Sequence, residues 1–147
     1  MPRYGVDLAR TASTTASVGS LVSAATTKRI RIQRLIFGFT GTPGDAASLW
    51  TLSRATAAGT STAKTPKPLD MADPACTTVA GENHTVEPTY TANETLLSVP
   101  LHQRATFHLE FAPGREIVTP ATSAAGLGIR TPTAPAIACN ANVHFEE

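Results

Sequence analysis

Two His-x-Glu sets hold the residues of this chain best placed to act together chemically. His108/Glu110 and His144/Glu146 each set an imidazole and a carboxylate two positions apart, and on a β-strand that spacing puts both on one face. Strands paired in suitable register would bring the four groups together as ligands meet in metal sites built on sheets. The reading weighed against a metal is a polar strand face, solvated or buried between subunits, where His and Glu hydrogen-bond one another. We adopt that reading, so no metal ligand, cofactor-binding residue or catalytic residue is assigned, and the chain is expected not to be an enzyme. Four histidines allow a Ser or Cys nucleophile to be imagined, but spacing assigns no oxyanion-forming turn or orienting partner. G-x-S-x-G, a phosphate-binding loop, H-E-x-x-H and C-x-x-C do not occur. Gly126-Leu127-Gly128 falls short of a dinucleotide fingerprint and reads as a turn or as close backbone approach between strands.

Charge narrows the partners. The chain has a net charge of +1 and a pI near 7.9, which gives no electrostatic footprint for nucleic acid or an anionic membrane. Its basic cluster, Lys28, Arg29, Arg31 and Arg34, interleaves with Ile30 and Ile32 and reads as a solvated strand face rather than a phosphate patch. Charged residues make up 16% of the chain, against about 25% in soluble domains, so either part of the exterior rests against neighbours or Thr and Ser do the solvating instead. Cys76 and Cys139 are too few for a disulfide framework and fit no metal spacing; Cys139 is expected as a buried thiol acting as a small hydrophobe. The triplets Asn83-His84-Thr85 and Asn93-Glu94-Thr95 read as chance rather than glycosylation sites. No continuous apolar run resembles a secretory signal, and none approaches transmembrane length.

The elements that must position these residues are strands. Phe107, Leu109 and Phe111 alternate with Thr106, His108 and Glu110, and Ile137, Cys139, Ala141, Val143 and Phe145 alternate with Asn140, Asn142, His144 and Glu146, the period-2 pattern of half-buried strands. Residues 29–40 form a strong strand whose apolar set changes parity between Ile30/Ile32 and Leu35/Phe37/Phe39, as a β-bulge or a crossing between sheets requires. A weaker strand is expected over 18–25, a turn at 41–45, a strand over 48–54 around Trp50 in preference to a helix capped by Asp45, an exposed loop over 57–68, and further strands near 97–101, 116–119 and 126–131. Asp73 as N-cap, Pro74 at the first helical position and Gly81 as terminator predict a short helix over 74–80. Residues 1–17, rich in Thr and Ser, are expected as a flexible N-terminal arm, loose or ordered by a partner. At 147 residues the rest, 18–147, forms a single domain. About eight or nine strands at sandwich spacing give an all-β, jelly-roll-like antiparallel β-sandwich with one short helix and an extended N-terminal arm.

The run Leu101-His102-Gln103-Arg104-Ala105-Thr106-Phe107, then Ala112-Pro113-Gly114-Arg115-Glu116-Ile117-Val118, Pro120-Ala121-Thr122, Gly126-Leu127-Gly128-Ile129-Arg130 and the closing Phe145-Glu146-Glu147 resembles small virion-associated proteins of tailed bacteriophages, of the head decoration or cement type. Arg29-Ile30-Arg31-Ile32, Phe37-Gly38-Phe39 and Gly41-Thr42-Pro43 fit the same resemblance, which covers most of residues 28–147. It implies a jelly-roll homotrimer on the capsid exterior, partnered by the major capsid protein, without nucleic acid or membrane, and assembled in the host cytoplasm. The family has no functional residues to carry over. Two other readings stand beside it: a tail or head-fibre β-sandwich that binds host surface glycan through exposed aromatics, and a cupin-like metal-binding protein or enzyme resting on the His-x-Glu sets.

Overall fold

The computed structural model describes residues 1–11, 15–24, 27–134 and 136–147. They form twelve strands and no helix: β1 (Arg3–Arg10), β2 (Ser17–Val22), β3 (Arg31–Phe39), β4 (Ala47–Ala57), β5 (Thr60–Lys64), β6 (Lys67–Pro68), β7 (Val79–Val86), β8 (Thr89–His102), β9 (Thr106–Glu110), β10 (Ile117–Val118), β11 (Gly126–Arg130) and β12 (Cys139–Glu146). Two antiparallel sheets result. The first has the order β10-β3-β12-β1-β6, with β9 also paired to β3, and the second β5-β7-β2-β11-β4-β8.

Period-2 alternation builds the core between them. Tyr4, Val6 and Leu8 of β1, Ile32, Leu35 and Phe37 of β3, and Cys139, Ala141, Val143 and Phe145 of β12 cluster with Leu21, Trp50, Leu52, Leu127 and Ile129 from the second sheet. Burying such side chains stabilises by about 1.5–3 kcal/mol each for the larger ones. Phe37 stacks on Trp50 with ring centroids 4.5 Å apart.

The parity change in β3 is a bulge. Across from β12, His144 pairs with Arg34 and Phe145 with Ile32, which leaves Gln33 as the extra residue and keeps both Ile32 and Leu35 on the core side. The glycines of β11 allow close approach: a Cβ at Gly126 would stand 1.9 Å from the Leu21 carbonyl oxygen, and one at Gly128 would stand 2.2 Å from the Tyr90 hydroxyl. Pro100 falls inside β8, which lies at the sheet edge, where a missing N–H removes no ladder bond.

Three expectations are corrected. The expected arm over 1–17 contains a sheet strand: β1, Arg3–Arg10, lies between β12 and β6, and Tyr4 and Leu8 are fully buried. The alternation Tyr4, Val6, Leu8, Arg10 was present in the sequence, but the Thr/Ser run after it suggested disorder; residues 12–14 of that run lie outside the described residues. No helix forms over 74–80. Residues 74–77 are irregular and Val79 opens β7, where pairing with β2 and β5 outweighs the capping signals. Gly81 is no helix terminator but admits a neighbour, since a Cβ there would meet Ser61 Oγ at 2.1 Å. Finally, the expected loop at 57–68 contains β5 and β6, which pair at the edges of the two sheets.

Two buried polar anchors tie the ends of the sandwich. Arg10, 1% exposed, donates to the carbonyls of Ala16 at 2.9 Å, Ala134 at 2.7 Å and Ile137 at 2.8 Å, and to Thr131 Oγ1. The Glu147 carboxylate accepts from the Thr77 N–H at 2.7 Å, the Thr78 N–H at 2.8 Å, the Thr78 hydroxyl at 2.7 Å and Lys28 Nζ at 3.2 Å.

Candidate functional site

Antiparallel register places both His-x-Glu sets on the outer face of the first sheet. Because inner positions along β9, β3, β12 and β1 are apolar, the intervening residues must face out. Glu110, Arg34, His144 and Gly5 form one row across the four strands. His108, Ile36, Asn142 and Asp7 form the next, and Glu146 stands between Arg31 and Arg3.

The sets share a face without converging. His108 Nε2 lies 3.5 Å from Glu110 Oε1, but Arg34 occupies the register position between Glu110 and His144, with its Nε 3.7 Å from Glu110 Oε1. A guanidinium at that position repels a metal cation. Among the described residues no group of three or more His, Cys, Asp or Glu side chains is arranged to hold a metal. His144 leans over Gly5 beside Leu69: a Cβ at Gly5 would meet Leu69 Cδ2 at 3.2 Å and His144 Cδ2 at 3.4 Å. Burial lowers the pKa of His144 and the Arg34 charge lowers it further, with the Glu110 charge opposing.

A cleft of about 260 Å³ opens at this end of the face. Arg3, Gln33, Arg34, His144, Glu110 and Glu116 supply its polar lining, and Leu69, Phe111 and Pro113 its apolar one. The 111–116 segment that closes it is held to β3 by the Phe111 N–H donating to the Gln33 carbonyl at 2.8 Å, so the bulge also shapes the cleft. Sequence reasoning singled out His144 and Glu110 but not Glu116, and it missed Arg3, which it placed in the arm, and Leu69, which lies just past the expected loop at 57–68.

The remaining sequence candidates have structural surroundings. Within the basic cluster, Lys28 pairs with Glu147 at 3.2 Å and Arg29 Nε donates to the Thr119 carbonyl at 3.1 Å. Cys139 is a buried free thiol, pushed up to about 11 by burial with Arg10 opposing. Burial, against hydrogen bonds from Thr78, raises Cys76 to about 12. Neither thiol is activated as a nucleophile. The Asn83 side-chain oxygen accepts from the Thr11 N–H at 2.8 Å, and Asn93 takes a left-handed turn conformation at φ 61°.

One Ser–His contact exists that spacing did not reveal. Ser20 Oγ lies 3.1 Å from His84 Nε2, bridging β2 and β7. Both residues are buried, and burial lowers the His84 pKa against the Ala58 carbonyl and the Glu87 charge. A substrate has no route to that hydroxyl, so the pair is a strand-to-strand tie. Nearby, Glu87 accepts from the Ala16 and Ser17 N–H groups and the Ser17 hydroxyl, and Arg130 stacks over Tyr90 at 4.3 Å. What the outer face of the first sheet can do is bind, through a few charged groups around an apolar patch. No family model matches the chain, and neither a curated protein nor a solved structure is significantly similar to it.

Proposed function

We propose that the chain is a structural virion protein of a tailed bacteriophage, a cement protein seated as a jelly-roll homotrimer on the capsid exterior where major capsid protein subunits meet. The observation that carries this reading is the pairing order. β1 pairs with β12, β2 with β11, β3 with β9 and β4 with β8, so the first half of the chain meets the second in reverse order. A ribbon paired in that way and rolled into two facing sheets has the strand order of a jelly roll, an architecture of viral capsid domains. The motif resemblance at residues 28–147 supports the same assignment.

Jelly rolls also serve lectins and cupins, and two observations favour the shell over either. No Phe, Tyr or Trp among the described residues is exposed, which gives a sugar little ring surface to stack on. Arg34 stands where a cupin-like metal would have to sit between Glu110 and His144. A cement protein works by binding the expanded shell in preference to the immature one, which stabilises the expanded state by the binding free energy. Many copies on a symmetric lattice multiply modest contacts.

Electron cryomicroscopy of particles from a phage that encodes the chain tests the location. Density for a two-sheet trimer on the shell, absent when the gene is deleted, is the expected result. Density confined to the tail or fibres would overturn the reading in favour of the fibre module.

A further inference from the structure

The cleft on the first sheet holds more hydrogen-bond donors than it satisfies. Among the described residues the Arg3 guanidinium makes no hydrogen bond or ion pair. The Arg34 Nε is buried without a hydrogen-bond partner, and its 3.7 Å separation from Glu110 is too long for a hydrogen bond. Beside them Leu69, 46% exposed, and Phe111 present apolar surface to the same space.

We propose that this cleft docks an extended acidic peptide segment in which one Asp or Glu is flanked by an apolar residue. The incoming carboxylate takes the guanidinium forks of Arg3 and Arg34, whose planar donors match a carboxylate in bidentate geometry. The apolar neighbour covers Leu69 and Phe111. Glu110, whose side chain is 64% exposed, swings outward as the visitor replaces it beside Arg34. Glu110 and Glu116 in the lining limit the negative charge the cleft accepts, so a single carboxylate is held in preference to a phosphate dianion. This deepens the virion reading by giving the chemistry of the coat segment, and it rests on that reading for the segment's owner alone.

The test is an NMR titration of the isotope-labelled full chain with a blocked Gly-Leu-Glu-Leu-Gly peptide and its Gln counterpart. Saturable shifts confined to Arg3, Gln33, Arg34, Leu69, His144 and residues 110–116 are expected, with the Gln peptide weaker by about tenfold. Arg34→Gln should weaken the Glu peptide by a similar factor, and Glu110→Gln should tighten it, with core amide shifts unchanged in both. Equal binding of the two peptides, shifts outside the cleft, or no saturation at millimolar peptide would overturn the proposal. Sedimentation with expanded heads separates the two readings. If Arg34→Gln protein seats as well as wild type, the cleft assignment fails and the cement role stands. If the wild type does not seat while the peptide binds, the cement role fails and the cleft stands.

Discussion

Glu147 and Arg10 are single side chains whose effect on the fold is large and whose roles depend on burial. Burial alone would raise the Glu147 pKa, but hydrogen bonds from the Thr77 backbone, the Thr78 side chain, Lys28 and the Thr77 side chain hold it down at about 2, against an ordinary 4.5. A carboxyl held below its unfolded value stabilises the fold fully above about pH 4.5, and the contribution is lost as pH falls through 4.5 toward 2. That difference corresponds to about 3 kcal/mol. Glu147→Gln should therefore be less stable than wild type at pH 6 by about 2–3 kcal/mol in urea unfolding, with the gap narrowing by about half near pH 3; a gap independent of pH would contradict the assignment. Arg10→Met leaves the Ala16, Ala134 and Ile137 carbonyls without their donor. Its expected cost is about 3 kcal/mol or more, seen as a fall of about 6–12 °C in Tm. Neither anchor was legible in the sequence. A lone Arg or Glu carries no periodicity, and its partners lie as far as 127 positions away.

Strands fare differently from anchors, because alternation is a local signal with a physical cause. The β9 and β12 faces were readable from spacing, since a half-buried sheet demands apolar residues at every second position; at Trp50 the same spacing favoured a strand over a helix capped by Asp45, and β4 forms there. The bulge in β3 was readable as one of two devices, and the register of β12 selects it. Deleting Gln33 removes the extra residue and should leave Ile32, Leu35 and Phe37 on the core side of a regularly alternating strand, so the variant should keep cooperative unfolding by circular dichroism, while Gln33→Ala should stay within about 0.5 kcal/mol of wild type. Loss of cooperative unfolding in the deletion variant would refute Gln33 as the extra residue that sets the face. Misreadings arose where local and long-range preferences conflict. Asp73, Pro74 and Gly81 carry a helix signature, yet the 79–86 segment gains more from pairing with β2 and β5 than from one or two isolated helical turns. Thr-rich β5 lacks apolar alternation because it lies at an edge, where one face and one flank meet water.

Viewed as a whole molecule, the fold joins the two ends of the chain: Arg3 pairs with Glu146 and Arg10 with Cys139 along the full length of β1 and β12. Removing residues 1–10 should thus unfold the domain rather than detach an arm, with no cooperative thermal transition in the truncated protein. Retention of wild-type Tm would restore the arm as a dispensable extension. The His-x-Glu residues of the candidate site were visible in sequence, whereas the cleft around them was not, because it needs Arg3 from β1, Arg34 beside the bulge and Leu69 just after β6 in one place. The most direct test of the cement role is a sedimentation binding isotherm with expanded and unexpanded phage heads, followed by heating of the loaded shells. The account predicts saturable binding to expanded heads, little to unexpanded ones, and a higher temperature of shell rupture when the protein is bound. Equal binding to both forms, or rupture at an unchanged temperature, would contradict it.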